Sequence, residues 1–155
     1  MDNLQLELYG QQVRNLRLGT IDGHPAPSKP IFLLSIIDSI STKCLRANEI
    51  LFYNKLLQGM YKMLYEYYIN ALPKYYLPFF IRPYFHLSSE PFYELVWKRD
   101  SRPPMLSHTP SARYLREHLA YAKLDDDLWL LLQDSGNREY FKEVITDQYL
   151  RQYHG

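Results

Sequence analysis

At 155 residues, with 46% hydrophobic and 15% aromatic side chains, the chain is long enough for one domain with a substantial packed core. Its net charge of +1, from 18 basic and 17 acidic residues, is not the footprint of a strongly basic, nonspecific nucleic-acid binder. A lone cysteine, Cys44, excludes a disulfide framework and a cysteine-based zinc site, and no apolar run approaches the about 18 residues of a membrane span.

Residues 2–17 read as a helix with Leu4, Leu8, Val13 and Leu16 on one side. Asp2 and Glu7 do not fit a secretory leader, which needs a basic start and an apolar middle, so a cytoplasmic location is the simplest expectation. Gly23, Pro25 and Pro27 break residues 19–27 into a loop. Pro30 then sits in the first turn of a helix running to about Ile40, apolar nearly all round and therefore central. Asn48 fits the N-cap of a long helix over 49–70, with Leu56, Met60, Met63, Leu64 and Tyr67 at helical spacing. Pro73 and Pro78 bracket an aromatic connection.

Residues 84–87 and 92–96 are aromatic and alternate, as two paired strands about a turn at 88–91 do. The stretch 98–109, with Pro103 and Pro104, reads as an exposed loop. Thr109-Pro110 opens a helix to about Lys123, Asp125 to Asp127 favour the start of a short helix that ends near Gly136, and a last helix covers 137–151. The expected fold class is mainly α (α+β), a single helical domain with one small antiparallel β-hairpin.

Three clusters carry possible chemistry. Ser28-Lys29-Pro30 lies at a helix start, where free N–H groups and the positive end of the helix dipole attract anions, although the same residues also serve as ordinary capping. Arg82-Pro83-Tyr84-Phe85-His86 sets a cation and a rigid apolar ring beside aromatics that also suit a buried hairpin or a partner surface. Lys98, Arg99, Arg102 and Arg113 form a basic stretch able to touch phosphates, or simply a solvated loop. There is no Gly-rich phosphate loop and no activated nucleophile or acid–base pair, and the five histidines lack metal-ligand spacing. The sequence therefore points to no cofactor, leaves an enzymatic role uncertain, and admits a homodimer.

Ala26-Pro27-Ser28-Lys29-Pro30, then about fifty residues later Arg82-Pro83-Tyr84-Phe85-His86 through Leu95, then Leu131-Leu132-Gln133-Asp134, occur in an order and spacing that carry a resemblance over about residues 14–151. The chain resembles the sulfur-binding domain found ahead of the HNH nuclease module in restriction endonucleases that attack phosphorothioate-modified DNA. Where that family usually reads His-Lys-Pro or His-Arg-Pro, this chain has Ser28-Lys29-Pro30. The family's cup for sulfur pairs an aromatic with a proline and has a small residue three positions on; here Arg82, Pro83 and His86 stand in that register.

The resemblance implies a non-catalytic DNA-recognition domain. Ser28, Lys29 and Arg82 would hold the phosphate, Pro83 with Tyr84 or His86 would face the sulfur, and Lys98, Arg99, Arg102 and Arg113 would touch flanking phosphates. It also implies double-stranded DNA as partner, no membrane, and a divalent metal only in an HNH domain outside this chain. The rival expectations are a protein-interaction or oligomerisation domain and a reader of DNA sequence or of another modification.

Overall fold

The computed structural model describes residues 3–21, 23–69, 80–99, 101 and 109–153. At its centre lies α2 (Ser28–Ser41), in which every residue from Pro30 to Ile37 is buried. A helix this apolar has no face to give to water, so other elements surround it. α3 (Lys55–Ile69), α4 (Ile81–His86) and α7 (Ser135–Ile145) all pack on it. Of its two buried serines, Ser35 in mid-helix donates its hydroxyl back to the Ile31 carbonyl at 2.8 Å. Phe32 is the aromatic hub. Tyr61, Phe80, Tyr84 and Tyr93 meet it edge-on, with ring centroids 5.4–6.2 Å away, the arrangement that ring quadrupoles favour.

α1 (Asn3–Arg14) packs on α7. Gly10 stands at their contact, where a Cβ would overlap the Tyr140 hydroxyl. The Tyr149 hydroxyl fastens the end of α1, donating to the Val13 carbonyl at 2.6 Å and accepting from the Leu16 amide at 2.9 Å. Leu4 and Leu8 do not join Val13 and Leu16 in the core as their spacing suggests. They face outward, and Leu6, Tyr9 and Gly10 turn inward with Val13.

The chain is mainly α, with small antiparallel strand pairs. β1 (Thr20–Ile21) pairs with β2 (His24–Pro25) through a tight turn in which Gly23 adopts φ 80°. β3 (Tyr93–Trp97) pairs with β4 (Leu119–Leu124), Tyr93 opposite Leu124 and Trp97 opposite Leu119. On the other side of β4, Ile50 exchanges both backbone hydrogen bonds with Ala122, at 2.7 and 2.9 Å. The Asn48 side chain extends this pairing by donating to the Leu124 carbonyl at 2.7 Å and accepting from its amide at 2.9 Å.

The strands therefore differ from the expected hairpin over 84–96. Residues 81–86 are α4, followed by a 3₁₀ turn at Leu87–Ser89, and only β3 of the expected pair is a strand. A strand would send Tyr84 and Phe85 to opposite faces. The helical turn buries both completely, together with Leu87. The partner of β3 is instead the stretch expected to end a helix: α5 (Ala112–His118) stops at His118 and the chain continues as β4.

The long helix also begins later than expected. Ile50 is committed to the β4 bridge, so α3 starts at Lys55, with the Asn54 side chain accepting from the Leu57 amide at 3.1 Å. Near the C-terminal end, α6 (Asp126–Leu131) precedes α7, whose cap is Asp134, accepting from the Asn137 amide at 2.9 Å, so Gly136 lies inside a helix rather than ending one. α7 continues as a π turn at Thr146–Leu150 and a 3₁₀ turn at Arg151–Tyr153. The connection around Pro73 and Pro78 and the Pro103-Pro104 pair lie outside the described residues. Among the described residues no helix is long and apolar enough to cross a membrane.

Candidate nucleic-acid interface

The start of α2, the segments flanking the β1–β2 pair (Leu18 to Thr20, and Ala26) and α4 line a cleft of about 370 Å³. Ser28, Lys29, Arg82, Pro83 and His86 all line it, so α2 and α4 bring together two segments about fifty residues apart in sequence. Leu18, Ala26 and Pro83 give the lining its apolar part. The cavity falls in the size range of small-ligand sites and combines cations with apolar surface.

α2 supplies part of the positive field. Its first turn carries Ser28 and Lys29 ahead of Pro30, and the capping position is Pro27, which offers no side-chain acceptor to the free amides. Pro30 loses nothing there, because a first-turn amide has no intrahelical partner to lose. Pro83 likewise sits in the first turn of α4.

Lys29 is held from three directions. Its Nζ donates to the Arg17 carbonyl at 2.6 Å and to the Ser89 hydroxyl at 2.8 Å, and lies 3.5 Å from Glu90 Oε2. The same Glu90 oxygen accepts from the Arg17 amide at 2.8 Å. The two side chains are 13% and 3% exposed, so the ammonium is largely withdrawn from solvent and its charge is offset by a buried carboxylate. Burial lowers the Lys29 pKa from its ordinary value, and the Glu90 carboxylate opposes that shift. An ammonium has three donors, and all three are directed at protein groups here.

Arg82 is the contrasting cation. It is exposed, lines the cleft and has no hydrogen bond or ion pair among the described residues. His86 Nε2 lies 2.8 Å from the Thr109 hydroxyl. Burial, with the charges of Lys29 and Arg82, holds this imidazole below its usual pKa, so it is neutral at neutral pH.

Tyr84 does not belong to the cavity. It is fully buried on the other face of α4, donating to the Ile50 carbonyl at 2.7 Å and packed on Phe32, because a helix turns adjacent residues by about 100°. The flanking cations are also placed elsewhere. Lys98 donates to the Arg116 carbonyl at 2.9 Å, Arg113 pairs with Glu117 at 3.4 Å in an exposed i,i+4 contact, and Arg99 is exposed. None of these three lines the cavity, and Arg102 lies outside the described residues.

Sequence reasoning missed Glu90, which it left in a turn. The available signal is an acid set in an otherwise apolar and aromatic stretch, a position that burial makes costly without a cationic partner. Among the described residues no group of three His, Cys, Asp or Glu side chains is placed to hold a metal. No protein-family model matches the chain, and no curated protein matches it.

Proposed function

We propose that the chain is a DNA-binding module that takes a phosphorothioate of the DNA backbone into the cleft between α2 and α4, and so marks that DNA for an HNH nuclease module lying outside this sequence. The observation that supports this reading is the convergence, in one cleft, of an exposed guanidinium without a partner among the described residues, a helix start and the apolar side chains of Leu18, Ala26 and Pro83. A phosphorothioate asks for both kinds of surface. Its oxygens need donors, whereas its sulfur is larger, softer and less hydrated than oxygen.

In this reading Arg82 pairs with the phosphoryl oxygen, and Ser28 with the first amides of α2 approaches the same group. Pro83, Leu18 and Ala26 receive the sulfur. An oxygen in that place would lose water without gaining a hydrogen bond, a penalty of roughly 1–3 kcal/mol. Lys29, its charge offset by Glu90, holds the cleft wall through Arg17, Ser89 and Glu90. Lys98, Arg99 and Arg113 act on phosphates further along the duplex, where they contribute salt-dependent affinity without specificity.

The test is a fluorescence anisotropy titration at fixed salt, comparing the unmodified duplex with one carrying a single Rp phosphorothioate. Arg82→Ala should weaken binding to both, since it removes an oxygen contact. Pro83→Ala should weaken binding to the modified duplex alone. Equal losses on both duplexes for Pro83→Ala would rule out the apolar wall as the sulfur contact.

A further inference from the structure

α3 has two apolar faces. Leu57, Tyr61, Tyr65 and Ile69 are buried in the core. Leu56, Met60, Met63 and Tyr67 form a second row on the opposite side, with Leu56 62%, Met63 56% and Tyr67 59% exposed. Tyr53, just before the helix, is 51% exposed as well. Together these side chains expose apolar surface on the order of 400 Å², in the range of the largest patches that monomeric proteins expose, which are often functional.

We propose that this row is a self-association surface on which two copies of the chain pair their α3 helices antiparallel. The spacing of the row, four, three and four residues, is symmetric about its midpoint. An antiparallel two-fold pair therefore sets Leu56 against Tyr67 of the partner subunit and Met60 against Met63 of the partner subunit, as a self-complementary interface requires. Charge selects the same direction. Lys55 and Glu66 lie on one flank of the row and have no ion-pair partner among the described residues. The antiparallel arrangement brings each Glu66 towards Lys55 of the partner subunit, twice per dimer. A parallel two-fold pair would put the two copies of this flank on opposite sides of the interface, where Glu66 and Lys55 could not meet.

Lys62 shares that flank and meets its own copy near the two-fold axis, which limits the affinity. Burying both patches removes about 800 Å² in total, below the standard interface size, so the dimer is weak and reversible. This surface is separate from the α2–α4 cleft and does not depend on what the cleft binds.

Sedimentation equilibrium of the full chain without DNA, from low to high micromolar concentration, tests the proposal. The expected result is a mass rising from monomer towards dimer. Met63→Glu, at a solvent-facing position that leaves the core untouched, should hold the chain monomeric with an unchanged circular dichroism spectrum. Lys55→Glu and Glu66→Lys should each weaken association by about fivefold, and the two together should restore it. A monomer mass throughout, a dimer indifferent to Met63→Glu, or no restoration in the double variant would overturn the proposal.

Discussion

Lys29 and Glu90 face each other at 3.5 Å at the wall of the cleft, the carboxylate 3% exposed and also accepting from the Arg17 amide. One buried acid thus joins the segment after α1, the start of α2 and the turn after α4. Glu90→Ala should leave a largely buried ammonium and a backbone donor without their acceptor, and lower stability by about 3 kcal/mol. Glu90→Gln should cost less, because its amide oxygen still accepts from Arg17. Urea denaturation checks both. A loss for the alanine variant near the few tenths of a kcal/mol typical of a surface pair would contradict the clamp.

His86 gives the cleft a pH dependence. Burial, Lys29 and Arg82 hold its pKa in the folded chain below the ordinary 6.5. In the window between the two values the unfolded chain binds more protons, so stability rises with pH there and falls as pH drops below 6.5. An anion in the cleft favours the imidazolium and raises the pKa again. NMR titration of the His86 ring should thus give a pKa below 6.5 in the free chain and an upward shift with DNA bound. DNA affinity should strengthen on acidification, and His86→Gln should remove that part of the response. A His86 pKa unmoved by DNA would place the anion elsewhere.

Asn48 completes the β3–β4 pair from the outside by exchanging two hydrogen bonds with the Leu124 backbone. Asn48→Ala should cost about 2 kcal/mol, from two hydrogen bonds whose backbone partners lose their acceptor and donor. Hydrogen exchange at the Leu124 amide should accelerate more than at Ile50 or Ala122, which bond each other. Uniform acceleration across all three would mean that Asn48 does no more than lower global stability.

Phe32 joins α2 to α3, α4 and β3 through four aromatic contacts and is fully buried. Phe32→Ala should destabilise by roughly 3–5 kcal/mol. Because Tyr84 and Phe80 frame α4, the cleft should open as well, visible as altered shifts at Arg82 and His86. Calorimetry reads the first effect and NMR the second.

The helical character of the chain and the central place of α2 were legible because an uninterrupted apolar run after Pro30 admits little else. The cleft was half legible. Lys29, Arg82, Pro83 and His86 could be named from two short segments, but whether a side chain is free or committed depends on groups far apart in sequence. Glu90 lies sixty-one positions from Lys29, and nothing local to either predicts their contact.

The face of α1 was read wrongly, and helical spacing in α3 left its buried face open, for a related reason. Each helix carries apolar residues on two sides, so periodicity alone cannot say which side meets α2 or α7. The expected 84–96 hairpin failed because aromatics suit strands and buried helical turns alike, and the true partner of β3 lies in a stretch with helical spacing.

The most direct test of the proposed role is the ratio of affinities of the unaltered chain for two duplexes that differ only by one Rp sulfur. If the cleft receives the sulfur, the modified duplex should bind tighter by about tenfold or more, a difference of about 1.4 kcal/mol that one apolar contact can supply. Equal affinity for both duplexes, or no binding to either, would contradict the account.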